Sequence, residues 1–271
     1  MACSTVRSLF PWSCAVAAAI ALAVYAPVLD AMSSASPSPQ QHSAQQSGPA
    51  PAAARPEIRV RAVEDFAVNG RGDNPAWNGV EWTPLNVRNN AKDPYPTKFK
   101  VLYSKKGLYV LMDAVDKKLT ATFKKDFENL WTEDVFEVFL WTDERDTVYF
   151  EYEISPLNYE LPIIIPNFEG TFLGWLPWHY DGERKIQKAV SVTGGKQESG
   201  AAIEGWRAEF MIPYELLRPL RNAVPSKGTK WRANFYRMDH DLGKDQVVQW
   251  DWSRVQKNFH DFRNFGTLIF E

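Results

Sequence analysis

Cysteine is nearly absent from this chain: there are two in 271 residues, Cys3 and Cys14, both close to the N-terminus. An excess of one charge is absent as well, with 31 Lys and Arg against 33 Asp and Glu, a net charge of −2. No basic footprint therefore argues for a nucleic-acid partner. Long hydrophobic runs are missing too. The longest, residues 15–26, has 12 residues, whereas spanning a bilayer takes about 20. That run follows a single cation, Arg7, and leads into small residues ending in Leu-Asp-Ala at position 31. The pattern is that of a signal peptide over residues 1–31, cleaved on export to the periplasm or the exterior, with no membrane span left afterwards. Once it is removed, no cysteine remains. Disulfides, a thiol nucleophile and a thiolate metal site are then excluded. P-loop, dinucleotide and Ser-His-Asp signatures are also lacking.

What is present begins with residues 32–56, rich in Pro, Ala, Ser and Gln without apolar periodicity. This composition predicts a disordered linker. From residue 57 to 271 the texture is that of one folded domain. Short segments rich in aromatic and β-branched residues recur at 98–104, 107–116, 134–141, 148–155, 188–194, 205–213, 231–239 and 265–271. They read as strands. Lys105 to Gly107 reads as a hairpin turn, and residues 213–220 as one short helix with Pro213 in its first turn. The fold class is all-β: an antiparallel β-sandwich of immunoglobulin or jelly-roll character with one short helix.

Alternation assigns faces. Phe136, Val138 and Leu140 share one side with Phe150, Tyr152 and Ile154. Val135, Glu137 and Phe139 share the other with Tyr149, Glu151 and Glu153. The second set is acidic and aromatic, which suits either a solvated outer sheet face or a ligand-facing surface. Residues 158–182 read as a loop longer than a hairpin needs. With Tyr159, Trp175 and Trp178, it is either a packed flap or a contributor to a site.

The order of these segments, from 98–119 through 130–140, 149–156, 205–217 and 231–239 to 264–270, resembles the family 9 carbohydrate-binding modules, a sandwich related to DOMON-type domains. The resemblance covers roughly residues 63–271. It implies non-catalytic binding of mono- or oligosaccharides or polysaccharide ends, in support of carbohydrate breakdown by separate glycoside hydrolases. It places the first sugar-stacking ring at Trp131 and the hydroxyl-binding glutamate at Glu137. Phe259 stands where the family has its second tryptophan. Glu153 stands where the family has a sugar-binding arginine, and His260 and Arg263 are candidate replacement donors. The chemistry is apt, because C–H faces of a pyranose pack on aromatic faces and charged acceptors bind its hydroxyls.

The resemblance also makes structural calcium possible, with residues 69–74 and 143–147 as oxygen-rich candidate loops. Two alternatives remain at this point. One is a haem-binding redox module of DOMON type, drawing axial ligands from His179, His240, His260, Met112, Met211 and Met238. The other is a cell-surface protein-interaction module.

Overall fold

The computed structural model describes residues 55–271 except 90, 92 and 93. The expected signal peptide and nearly all of the expected linker lie outside the described residues.

The chain enters on β1 (Glu57–Ala62), then forms short β2 (Thr83–Pro84) and β3 (Asn86–Val87) and long β4 (Thr97–Tyr103) and β5 (Gly107–Val115). The central hairpin is β6 (Val135–Trp141) and β7 (Val148–Ile154), followed by β8 (Glu160–Phe168), β9 (Thr171–Phe172) and β10 (Leu176–Pro177). Next come β11 (Gln187–Thr193), β12 (Gly205–Pro213), α1 (Tyr214–Leu217), β13 (Lys230–Asp239), β14 (Val248–Asp251) and β15 (Gly266–Phe270). One sheet runs β10-β8-β7-β6-β13-β15-β1, and the other continues β1-β4-β5-β12-β11. β1 belongs to both: Glu57 to Val60 pair with β15, and Arg61 and Ala62 pair with β4. Both of these ladders are parallel, whereas the rest of the sheet is antiparallel.

The two sheets pack face to face, as a sandwich requires. Aromatic pairs join them: Phe99 stacks on Phe235 at 3.9 Å, and Phe136 on Trp206 at 3.7 Å. The alternation expected for the β6–β7 hairpin holds. Phe136, Val138, Leu140, Phe150, Tyr152 and Ile154 all enter the inter-sheet core. The opposite face is not solvated. A second apolar layer covers it, in which Phe139 and Tyr149 meet Val255, Phe259, Phe262 and Phe265.

Seven strands went unread in the sequence: β1, β8 and β14, and the two-residue β2, β3, β9 and β10. Most of the expected 158–182 loop is strand, with β8 pairing along the whole of β7. The helix is a single turn, and Pro213 is its N-cap and the last residue of β12 rather than a first-turn residue. The candidate loop at 69–74 is an anchor. Buried Glu209 accepts the backbone N–H groups of Asn69 and Gly70 and the indole N–H of Trp77. Gly70 has φ +79°, and a Cβ there would lie 2.9 Å from the Val190 backbone, so this close approach needs glycine.

Tyr214 is buried at the base of this packing, its ring edge-on to Trp231, and its hydroxyl has no hydrogen-bond partner among the described residues. Removing an unsatisfied hydroxyl relieves a desolvation cost. Tyr214→Phe is therefore expected to leave stability unchanged or raise it by up to about 1 kcal/mol. Urea denaturation checks this, and a loss larger than that would mean the hydroxyl is satisfied in solution.

Candidate functional site

The outer face of the β6–β7 hairpin forms the floor of a cavity of about 390 Å³, within the range of small-ligand sites. Register puts Glu137 opposite Glu153 and Phe139 opposite Glu151. With side chains alternating along each strand, three carboxyls converge on one side of the sheet.

The walls come from loops. The single 3-10 turn Leu130–Thr132 ahead of β6 buries Leu130 and turns Trp131 outward, 45% exposed. Its backbone N–H donates to Glu153 at 2.9 Å, so the carboxyl behind the ring sets the turn that presents it. Across the cavity lining stands Phe259, stacked on Tyr236 at 4.0 Å and 11°. His260 follows, with Nδ1 at 2.7 Å from the Tyr149 hydroxyl and its ring stacked on Phe172 at 4.3 Å. Trp175, exposed on the β9–β10 flap, completes the rim.

Of the expected site residues, Trp131, Glu137, Glu153, Phe259, His260 and Trp175 line this one cavity. Tyr159 and Trp178 do not. Tyr159 closes the β7–β8 turn through paired bonds with Ser155, and Trp178 packs on the inter-sheet core with its indole N–H donated to the Leu216 carbonyl. Arg263 lies outside the lining, beside Gly170. Sequence reasoning missed Arg88 and Phe172, weighed Met238 only as a haem ligand, and placed Glu151 on the right face without singling it out. Arg88 follows β3 and reaches the cavity braced on the Lys257 carbonyl at 2.6 Å, its guanidinium 5.3 Å from the Phe259 ring centre. No sequence pattern around it signals this.

Electrostatics set the site apart. Burial pushes Glu137 up to about 8. Burial and the charges of their neighbours hold Glu151 and Glu153 well above the usual carboxylate range. Burial lowers His260 to about 4, so its ring is neutral near pH 7. A carboxyl whose pKa is higher folded than unfolded stabilises the fold below its unfolded value, and that contribution is lost as pH rises through the folded value. His260 works in the opposite sense, costing stability as pH falls below its unfolded value of about 6.5. Above neutrality only the carboxyl effect remains. The thermal midpoint of the unliganded protein is expected to fall from about pH 7 to about pH 9, with a shallower fall in Glu137→Gln. A flat profile would show that the carboxyls ionise freely.

In the 143–147 loop Asp143 is held by Arg145, and in the 69–74 loop Asp73 is held by Arg71 and Asn69. Each of these two carboxylates thus already has an arginine partner. Asp116, Asp239 and Asp241 bring carboxylate oxygens within 4.8 Å of one another, but the Arg237 guanidinium contacts two of them. Met238 and His260 line the same cavity, with His260 Nδ1 engaged by the Tyr149 hydroxyl.

Comparison with known proteins places the chain. The model of the carbohydrate family 9 binding domain-like family matches residues 68–271, and the chain belongs to that family. A relative in Arthroderma benhamiae described as an extracellular protein is 26% identical over 204 residues, covering 72% of this chain and 86% of its own. The fold is shared with a carbohydrate-binding protein, so described provisionally, from Bacteroides uniformis (TM-score 0.64, 20% identity, 80% of this chain and 100% of that one). It is shared also with a family 9 carbohydrate-binding module from Caldicellulosiruptor kristjanssonii, solved with cellotriose (TM-score 0.58, 18% identity, 79% and 93% covered) and with glucose (TM-score 0.56, 18% identity, 79% and 95% covered). Among the described residues no helix is long and apolar enough to cross a membrane.

Proposed function

We propose that this protein binds carbohydrate without catalysis, holding a sugar ring in the cavity above the β6–β7 hairpin. One observation carries the reading: an outward tryptophan, Trp131, is fixed by the backbone beside a floor of buried carboxyls in a cavity of sugar size. The ring supplies a stacking face, and Glu137, with no partner among the described residues, supplies an acceptor for hydroxyls. Phe259 and Trp175 offer further apolar walls, and His260 and Arg88 offer donors. Family membership and neighbours solved with cellotriose and glucose support it.

The ligands are mono- or oligosaccharides or polysaccharide ends, and the role is to assist separate glycoside hydrolases. Export, by the expected signal over residues 1–31, accords with the extracellular relative. Kinship with the wider DOMON-type sandwiches belongs to the same proposal, resting on two-sheet architecture alone. Calorimetric titration of the full chain with glucose, cellobiose and longer oligosaccharides tests the function. Saturable heat is expected, and its absence with every sugar would overturn the reading.

A further inference from the structure

The floor of the cavity has more acceptors than donors to match them, and this bears on which sugar enters; the inference rests on the carbohydrate-binding reading above. Glu137 is 2% exposed and receives no hydrogen bond or ion pair from the described residues. Glu151 is 4% exposed, and its Oε2 has no hydrogen-bond partner. The nearest basic atom to that oxygen is His260 Nδ1 at 3.8 Å, and this nitrogen is engaged by Tyr149. Glu153 is committed to Trp131. Arg88, the lone arginine in the lining and one without a lysine beside it, is turned to the Lys257 carbonyl and Gln249. Of the remaining lining, Phe139, Leu161, Ile163 and Met238 are apolar, and Asn258 is polar but uncharged.

Two buried carboxyls therefore open into a cavity with aromatic walls: Glu137 without a partner, and Glu151 with a free Oε2 beside its carboxyl contact to Glu153. A neutral pyranose brings hydroxyl donors that these carboxyls can accept, but no charge to offset the cost of ionising them in a buried place. An anionic sugar would be repelled. A protonated amine brings three donors and a positive charge to the same place, where low solvent access strengthens the attraction.

We propose that the sugar selected here carries a free amino group, a hexosamine or an oligomer of one, with its ammonium received by Glu137 and Glu151 and its ring against Trp131. The arrival of a cation also drives carboxyl protons off, so binding releases protons to the buffer.

The test is calorimetry on the full chain at mildly acidic pH, where the amine is protonated, comparing glucosamine and its dimer with glucose, cellobiose and N-acetylglucosamine. Glucosamine is expected to bind roughly tenfold or more tightly than glucose, the ratio a single added charge contact supports. Titrations in two buffers of different ionisation heat are expected to show proton release with the amine and not with glucose. Glu137→Gln and Glu151→Gln, checked for folding by circular dichroism, are expected to bring the glucosamine-to-glucose ratio toward one. Equal binding of the two sugars, or tighter binding of glucose, would overturn the amine assignment and leave the carbohydrate reading standing. No heat with any sugar, amines included, would overturn both.

Discussion

Trp131→Ala is expected to weaken sugar binding about 30-fold or more, the loss of an anchor worth about 2 kcal/mol or above, while the protein unfolds at nearly the same denaturant concentration. The two halves of this expectation come from different atoms. The indole ring is nearly half exposed and contributes little to the core. The turn that carries it is held by buried Leu130 and by the backbone N–H bond to Glu153, neither of which alanine removes. Exposed substitutions of this sort typically shift stability by within about 0.5 kcal/mol. Trp178→Ala makes the contrast. That ring packs on the inter-sheet core and its N–H is bonded, so stability should fall while affinity holds. Calorimetry and urea denaturation on both variants separate the roles. Unchanged affinity in Trp131→Ala would remove Trp131 from the site.

Arg237→Met is expected to cost about 3–5 kcal/mol, a large part of the roughly 5–15 kcal/mol by which a domain is stable. Arg237 shares its strand face with Trp231, Ala233 and Phe235, so it points into the sandwich, and it is 0% exposed. Its guanidinium pairs with Asp239 at 2.7 Å and Asp116 at 3.0 Å, donates to Thr97 and to the Val115 carbonyl, and lies over Trp250. Without it two buried carboxylates face each other with no counter-charge. Even with it, burial leaves Asp116 raised to about 7. Adding Asp116→Asn and Asp239→Asn to the variant is expected to recover much of the loss, because the penalty lies in the orphaned charges. If Arg237→Met unfolds at the same urea concentration as the parent, the cluster is not a structural ion pair.

These residues also show what a sequence can disclose. The β6–β7 hairpin was legible because one face alternates cleanly with the other, and the same alternation located Glu137, Glu151 and Glu153 together. β8 was hidden by Pro162 and Pro166, which ordinarily argue against a strand. They are tolerated because each turns its carbonyl toward the short flap strands, accepting from Trp178 and Leu173, so the missing N–H falls on that side rather than on the ladder with β7. β1 and β14 are short and charged, and only their neighbours define them. At the site, Trp131 and Phe259 were reached through family resemblance. Arg88 was not, because it enters from a distant segment with no periodicity. Trp175 and Trp178, three residues apart, were indistinguishable until the flap's pairing set one at the rim and the other against the core.

The double membership of β1 has a mechanical meaning. Its first four residues are bonded alongside β15 and its last two alongside β4, all in parallel register. Tension drawn along the chain through Pro56 would load this strand lengthwise. The bonds to both neighbours would then bear the strain together in shear, rather than opening one by one like a zipper. A domain gripped by its ligand on one side and hauled by its N-terminal end on the other is thereby clasped where the pull arrives, and its lifetime under load is governed by the rate of that strand's escape.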